Sequence, residues 1–189
     1  MMGRPMINDA LDFIRSELRD HLGVTDQEVV VESARRLSDD NNIEGAYITL
    51  INVQEETALR NLPHTERVLG QSRLREPPVH LNLYLLFAFE FQSYTTSLLH
   101  LSNTVELFQG KRFFSADNQR PGNPFPATLD RLIFDFHNMS FEELNHLWGV
   151  MGGAYFPSVV YKVRVIEVRA AEAADAPEIT TIALEAAQR

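Results

Sequence analysis

Between Val79 and Phe91 every odd position is apolar: Val79, Leu81, Leu83, Leu85, Phe87, Phe89 and Phe91. His80, Asn82, Tyr84 and Glu90 stand between them. Successive side chains of a strand point to opposite faces, so period two held over 13 residues predicts one long strand with one face buried. The rest of the chain must cover that face. At 189 residues it is long enough for one ordinary domain with a full core, and short for two.

The flanking segments supply the cover. Ile7, Ala10, Leu11, Ile14, Leu18 and Leu22 recur at spacings of three and four, which predicts an amphipathic helix with Asp12, Arg15, Glu17, Arg19 and Asp20 on its other faces. Asn8 or Asp9 fits its N-cap and Gly23 its stop. Glu28 to Glu32 predicts a short strand, and the polar run from Ser38 to Gly45 a turn. Ala46 to Val53 reads as a strand buried on both faces. After the main strand, Ser93 caps a helix with Tyr94, Leu98, Leu101, Val105 and Phe108 on one face, ending at Gly110.

Pro121, Gly122, Pro124 and Pro126 mark a loop. Arg131 to His137 alternates again, with Leu132, Phe134 and Phe136 inward. Ser140 and Glu143 form a capping box, and Met139 with Leu144 the hydrophobic staple, of a short helix stopped by Gly149, Gly152 and Gly153. Trp148 and Phe156 read as core anchors beside that glycine turn. Val159 to Val168 predicts a last strand with Lys162 and Arg164 on its polar face. The expected fold is α+β: a mixed, mostly antiparallel sheet packed with two to three helices over residues 1–168, followed by an alanine-rich tail, 169–189.

Residues 54–78 fit none of these periods. They hold eight charged residues and three prolines among scattered Leu59, Leu62, Leu69 and Leu74. A connection of such length reads either as a plain surface loop or as a partner-binding arm.

The chemistry present is sparse. The chain has no cysteine, which removes disulfides, thiolate nucleophiles and thiolate-bound metals. Acyl-transfer, phosphate-loop and dinucleotide signatures are absent. Glu143 and His146 lie three apart, with Asp135 and His137 near in sequence, but a dimetal site takes two Glu-x-x-His pairs. The expectation is therefore no enzyme, no catalytic residue, no metal and no cofactor. A net charge of −9 disfavours a nucleic-acid partner, which needs a clustered positive surface. The most apolar stretch, 13 residues with Glu90 in it, is too short for a bilayer.

Three stretches carry a resemblance: VHLNLYLLFAFEF (79–91), YTTSLLHLSNTVELFQG (94–110) and NMSFEELNHLWGVMGGAYFPSVVYKVRVIEV (138–168). Ser140 to Gly149 followed by Tyr155 to Arg164 is the most specific part. Together they resemble the tube-terminating cap proteins of extracellular contractile injection systems, the phage-tail-like particles of antifeeding-prophage and virulence-cassette type. The resemblance covers about residues 6 to 168. It implies a tail-terminator-like fold and a structural role: a homo-hexameric ring that ends the inner tube, touching the tube protein and the last sheath layer, assembled in the cytoplasm into a particle that can leave the cell. A closed ring needs two different complementary patches on each subunit. The expected subunit interface comprises Leu59, Arg60, Leu62, Arg67, Leu69 and Leu74 of the arm with Lys162 and Arg164 of the last strand. The other readings are a baseplate or adaptor component of the same kind of particle, and a small-ligand or metal-binding domain.

Overall fold

The computed structural model describes residues 6–38, 44–56, 65–68, 71–74 and 79–168. The elements run α1 (Met6–Leu22), β1 (Val29–Val31), a 3-10 turn (Ala34–Ser38), β2 (Gly45–Glu55), β3 (Thr65–Val68), β4 (Gln71–Leu74), β5 (Val79–Glu90) and α2 (Tyr94–Gly110). Then follow β6 (Phe113–Phe114), a short 3-10 turn (Ala116–Asn118), β7 (Leu132–His137), α3 (Phe141–Val150) and β8 (Ser158–Val168). Six strands form one sheet in the order β1-β2-β5-β8-β7-β6, with β1 parallel to β2 and every other neighbour antiparallel. The mixed, mostly antiparallel α+β architecture is the one the sequence predicts.

β5 sits at the centre of this order because it is the strand with most to bury. Its odd residues Leu83, Leu85, Phe87 and Phe89 join Ala10, Leu11, Phe13, Ile14 and Leu18 of α1, Phe108 of α2, and Val159, Tyr161 and Val163 of β8 in the main core. Phe108 stacks on Phe134 of β7 at 4.1 Å between ring centroids, an offset-stacking distance that adds to the area buried. α1 is held where the pattern predicts, and Gly23 ends it with φ 68°, its N–H donating to the Arg19 carbonyl at 3.0 Å.

The expectation of one buried face on β5 needs correction. Leu86 and Ala88 are fully buried too, on the opposite side, with Tyr47, Val160, Ala34, Leu37 and Trp148 in a second, smaller core. α3 and the Ala34–Ser38 turn cover this side. Thr49 pins that turn to the sheet: its hydroxyl donates to the Glu32 carbonyl at 2.6 Å and accepts from the Ala34 N–H at 2.8 Å. Trp148 is the anchor its sequence position suggests, 3% exposed and packed against Phe156. Gly45 permits the parallel pairing of β1, since a Cβ there would lie 2.3 Å from the Glu28 carbonyl oxygen.

Several local expectations shift. α1 is already helical at Met6, so Asp9 is no cap; it lies in the first turn and accepts a hydrogen bond from the Thr128 hydroxyl at 2.6 Å. Glu17, placed on the polar side by its charge, is 2% exposed and bound by Arg120 and Asn123. α2 buries Ser97, Thr104 and Phe108, while Tyr94 and Leu98 are exposed. The buried positions 97, 104 and 108 keep helical spacing, but the helix is rotated from the face that Tyr94 and Leu98 would define. β2 is buried on both faces only from Gly45 to Thr49, and its residues 52–55 are exposed. Phe136 is exposed although it shares an inward face with Leu132 and Phe134, because it stands at the end of β7. Gly149 lies inside α3, and the turn belongs to Gly152 and Gly153, both with positive φ.

Residues 54–78 are not wholly irregular. β2 runs through Gln54 and Glu55, and β3 with β4 forms a two-stranded hairpin, Thr65 opposite Leu74. Alternation over four residues is too brief to stand out beside the surrounding charges and prolines.

Candidate assembly surface

The second face of the sheet changes character along β5. Above Leu86 it is covered by α3 and the 3-10 turn; below it the even positions are Tyr84, Asn82 and His80, which lie outside the second core and under no described helix. Neighbouring strands add polar groups in register: Gln54 beside Asn82, Lys162 between Tyr84 and Asp135, and Arg164 beside Ile133. These groups pair with one another across four strands. Asn82 donates to Glu56 at 3.0 Å, Lys162 lies 3.6 Å from the same carboxylate, and the Tyr84 hydroxyl donates to Gln54 at 3.0 Å. Tyr84 also meets the His137 ring edge-on at 5.0 Å. Arg164 Nε stands 2.5 Å from Asp135 Oδ2, an ion pair rather than an aligned hydrogen bond.

Lys162 and Arg164 are thus half-buried members of a cross-strand polar lattice. They share one patch, and their nearest partners are intramolecular. Asn82 is the unexpected member: 2% exposed, with an Oδ1 that has no hydrogen-bond partner among the described residues. Its even position on β5 suggested solvent, and only the neighbouring Glu56 and Lys162 explain its burial. Of the expected arm residues, Arg67 lies on β3 opposite Ser72 and Leu74 lies on β4 opposite Thr65. Leu59, Arg60, Leu62 and Leu69 fall outside the described residues.

The residues weighed for a metal are committed elsewhere. Glu143 closes the capping box, accepting from the Ser140 N–H at 2.7 Å while the Ser140 hydroxyl accepts from the Glu143 N–H at 3.2 Å. The backbone bond from Ser140, then its hydroxyl, hold the Glu143 carboxyl below the usual carboxylate range. Asp135 is paired with Arg164, His137 packs on Tyr84 and His146 is exposed. Among the described residues no group of three His, Cys, Asp or Glu side chains is placed to hold a metal ion. No described helix is long and apolar enough to cross a membrane.

A second surface was not legible in the sequence. Around α3, Phe141 is 92% and Val150 79% exposed, with Tyr155 beside them against Trp148. The helix turns Phe141 and Val150 outward.

Three layers, with α1 and α2 on one side of a six-stranded sheet and α3 with a 3-10 turn on part of the other, leave a polar sheet surface and no catalytic constellation among the described residues. Residues 10–181 match the Pvc16 N-terminal domain family, and the chain belongs to that family. No curated protein sequence matches the chain. Two structures solved by cryo-electron microscopy share the fold. One is the PVC sheath/tube terminator of an extracellular contractile injection system in its extended state, with a TM-score of 0.62, 17% identity, and coverage of 100% of this chain and 65% of that one. The other is the tube-terminating cap of the anti-feeding prophage, with a TM-score of 0.66, 14% identity, and coverage of 97% of this chain and 62% of that one. The chain therefore spans a little under two thirds of the length of these structures.

Proposed function

We propose that this chain is the structural cap that terminates the inner tube of a contractile phage-tail-like injection particle, without catalytic activity or cofactor. Family membership over residues 10–181, with a fold shared with two terminators, is the observation that carries this reading. In this reading six copies close a ring in the cytoplasm, one side resting on the tube protein and the periphery meeting the sheath, and the particle then leaves the cell. Nucleic acid and membrane take no part. Residues 1–168 are the terminator-like domain and 169–189 a tail.

Each subunit offers two patches to its neighbours: the arm with Leu59, Arg60, Leu62, Arg67, Leu69 and Leu74, and the sheet face with Lys162 and Arg164. Lys162 and Arg164 stand beside Glu56 and Asp135 on this half-buried face, where an incoming carboxylate would share them. Deleting the gene and imaging the particles tests the reading. Tubes of uncontrolled length support a terminator; complete loss of particles supports a baseplate or adaptor component instead. Native mass measurement of the purified protein, alone and with its tube protein, tests the six-fold ring.

A further inference from the structure

β2, β5 and β8 reach further down the sheet than the strands beside them. β1 pairs only Val29, Val30 and Val31, against Ala46, Tyr47 and Ile48, so β2 has no outer partner below that point among the described residues. On the other side β7 begins at Leu132 and its pairing with β8 starts at Ile133 opposite Arg164. Below Arg164, β8 continues to Val168 with β5 as its neighbour among the described residues, Ile166 opposite Leu81 and Glu167 opposite His80. Among the described residues the lower sheet is thus a three-stranded ribbon with an unpaired edge on each side.

The hydrogen-bond phase says which groups point out. The Glu56 N–H donates to the His80 carbonyl at 2.7 Å, so residues 56, 54 and 52 turn their backbone groups toward β5 and Val53 and Glu55 turn theirs outward. Phe89 donates to Pro157, so the odd residues of β5 bond toward β8; Ile166 and Val168 then face β5 and Glu167 faces outward. In a parallel pair one residue bonds to both neighbours of the residue opposite it. Glu167 set beside Gln54 would donate to the Val53 carbonyl and accept from the Glu55 N–H.

We infer that these two edges are partners, the β2 edge of one copy of this chain pairing in parallel with the β8 edge of the next. β2 and β8 are each antiparallel to β5 and so run in the same sense. A copy related by rotation about a ring axis meets its neighbour in parallel, with one edge of each kind at every seam. Two β2 edges facing each other would be antiparallel and would close at two copies. In the proposed register positions 54 and 167 stand opposite each other, as 54 with 82 and 80 with 167 do within a subunit. The inference rests on the ring proposed above and specifies how it closes.

The absence of native cysteine makes the test direct. Adjacent strands lie about 4.8 Å apart, inside the roughly 4.4–6.8 Å a disulfide spans between Cα atoms. The full chain carrying Gln54→Cys and Glu167→Cys should oxidise to a ladder extending beyond the dimer, and each single variant should give none. A dimer from Gln54→Cys alone means two-fold pairing and overturns the inference. No ladder from the double variant, in protein whose native mass is that of a ring, overturns the edge pairing and leaves the ring. A monomer under all conditions, with tube protein included, overturns both. A second variant guards against misfolding: Glu55→Pro removes the outward N–H that the seam would use, so the monomer should keep its unfolding midpoint and the ring should be lost. Glu55→Pro rings at undiminished yield would also overturn the pairing.

Discussion

Arg120 reaches across 103 residues of chain to place its Nε 3.1 Å from the Glu17 carboxylate, which lies buried on the inner side of α1. Asn123 donates to the same oxygen at 2.9 Å, and Lys111 stands 3.9 Å from the other. A loop rich in proline is thereby fixed to the first helix. Lys111 is not a full substitute, because burial pulls its pKa below the ordinary lysine range even with Glu17 opposing that shift.

Removing one partner of such a cluster leaves a buried charge poorly compensated. Arg120→Ala should lower stability by about 3 kcal/mol, read from denaturant unfolding at constant m-value. Glu17→Gln should cost less, since the cations it leaves are partly exposed and Arg120 keeps Asp20 at 3.1 Å. Equal losses would mean the cluster stabilises through packing alone.

Two buried faces on β5 make a sharper expectation than one. Leu83→Asp, Phe87→Asp and Leu86→Asp should all abolish soluble folding, because an unpaired buried charge costs several kcal/mol against a total of about 5–15. His80→Ala should be tolerated. Asn82→Ala should lower stability by about 1 kcal/mol through loss of its bond to Glu56. Soluble expression and thermal unfolding read all five, and a folded Leu86→Asp protein would remove the second core.

The rotation of α2 can be checked by substitution along it. Phe108→Ala should cost about 3–5 kcal/mol, while Leu98→Ser should stay within about 0.5 kcal/mol of the native protein. Ser97→Ala should cost about 1–3 kcal/mol, because the Ser97 hydroxyl accepts the buried N–H of Phe91 at 3.0 Å. Chemical denaturation of the three variants ranks them.

His100 gives the fold a dependence on mild acid. Its ring packs on Phe91 at 4.3 Å, and burial lowers its pKa from 6.5, with Glu28 pulling weakly the other way. A base whose folded pKa is depressed contributes stability above its unfolded pKa and loses it as pH falls toward the folded value, since the unfolded chain takes the proton first. Stability should therefore decline from about pH 6.5 downward. His100→Phe should flatten that part of the curve, leaving the lower-pH losses from Asp26, Glu28 and Glu143, whose carboxyl pKa values are depressed. Thermal unfolding between pH 5 and pH 8 distinguishes the two proteins.

The longer elements are written in residues close together along the chain, whereas the short strands β3, β4 and β6 are not. Period two in β5, periods of three and four in α1, the capping box at Ser140 and the resemblance carried by residues 79–91, 94–110 and 138–168 are all short-range, and neighbours along the chain suffice to write them. What surrounds each element was decided only in three dimensions. Leu86, Ala88 and Asn82 are buried because α3, the Ala34–Ser38 turn and Glu56 come to them from 26 or more residues away in several directions, and no periodicity encodes that arrival. Glu17 is inside because Arg120 and Asn123 compensate its charge; its own sequence neighbours placed it outside. How much of β2 and β8 is unpaired among the described residues depends on how far β1 and β7 extend beside them, which follows from strand order and register rather than from any residue of the edges. Burial and pairing are relations between segments, so they belong to the tertiary structure.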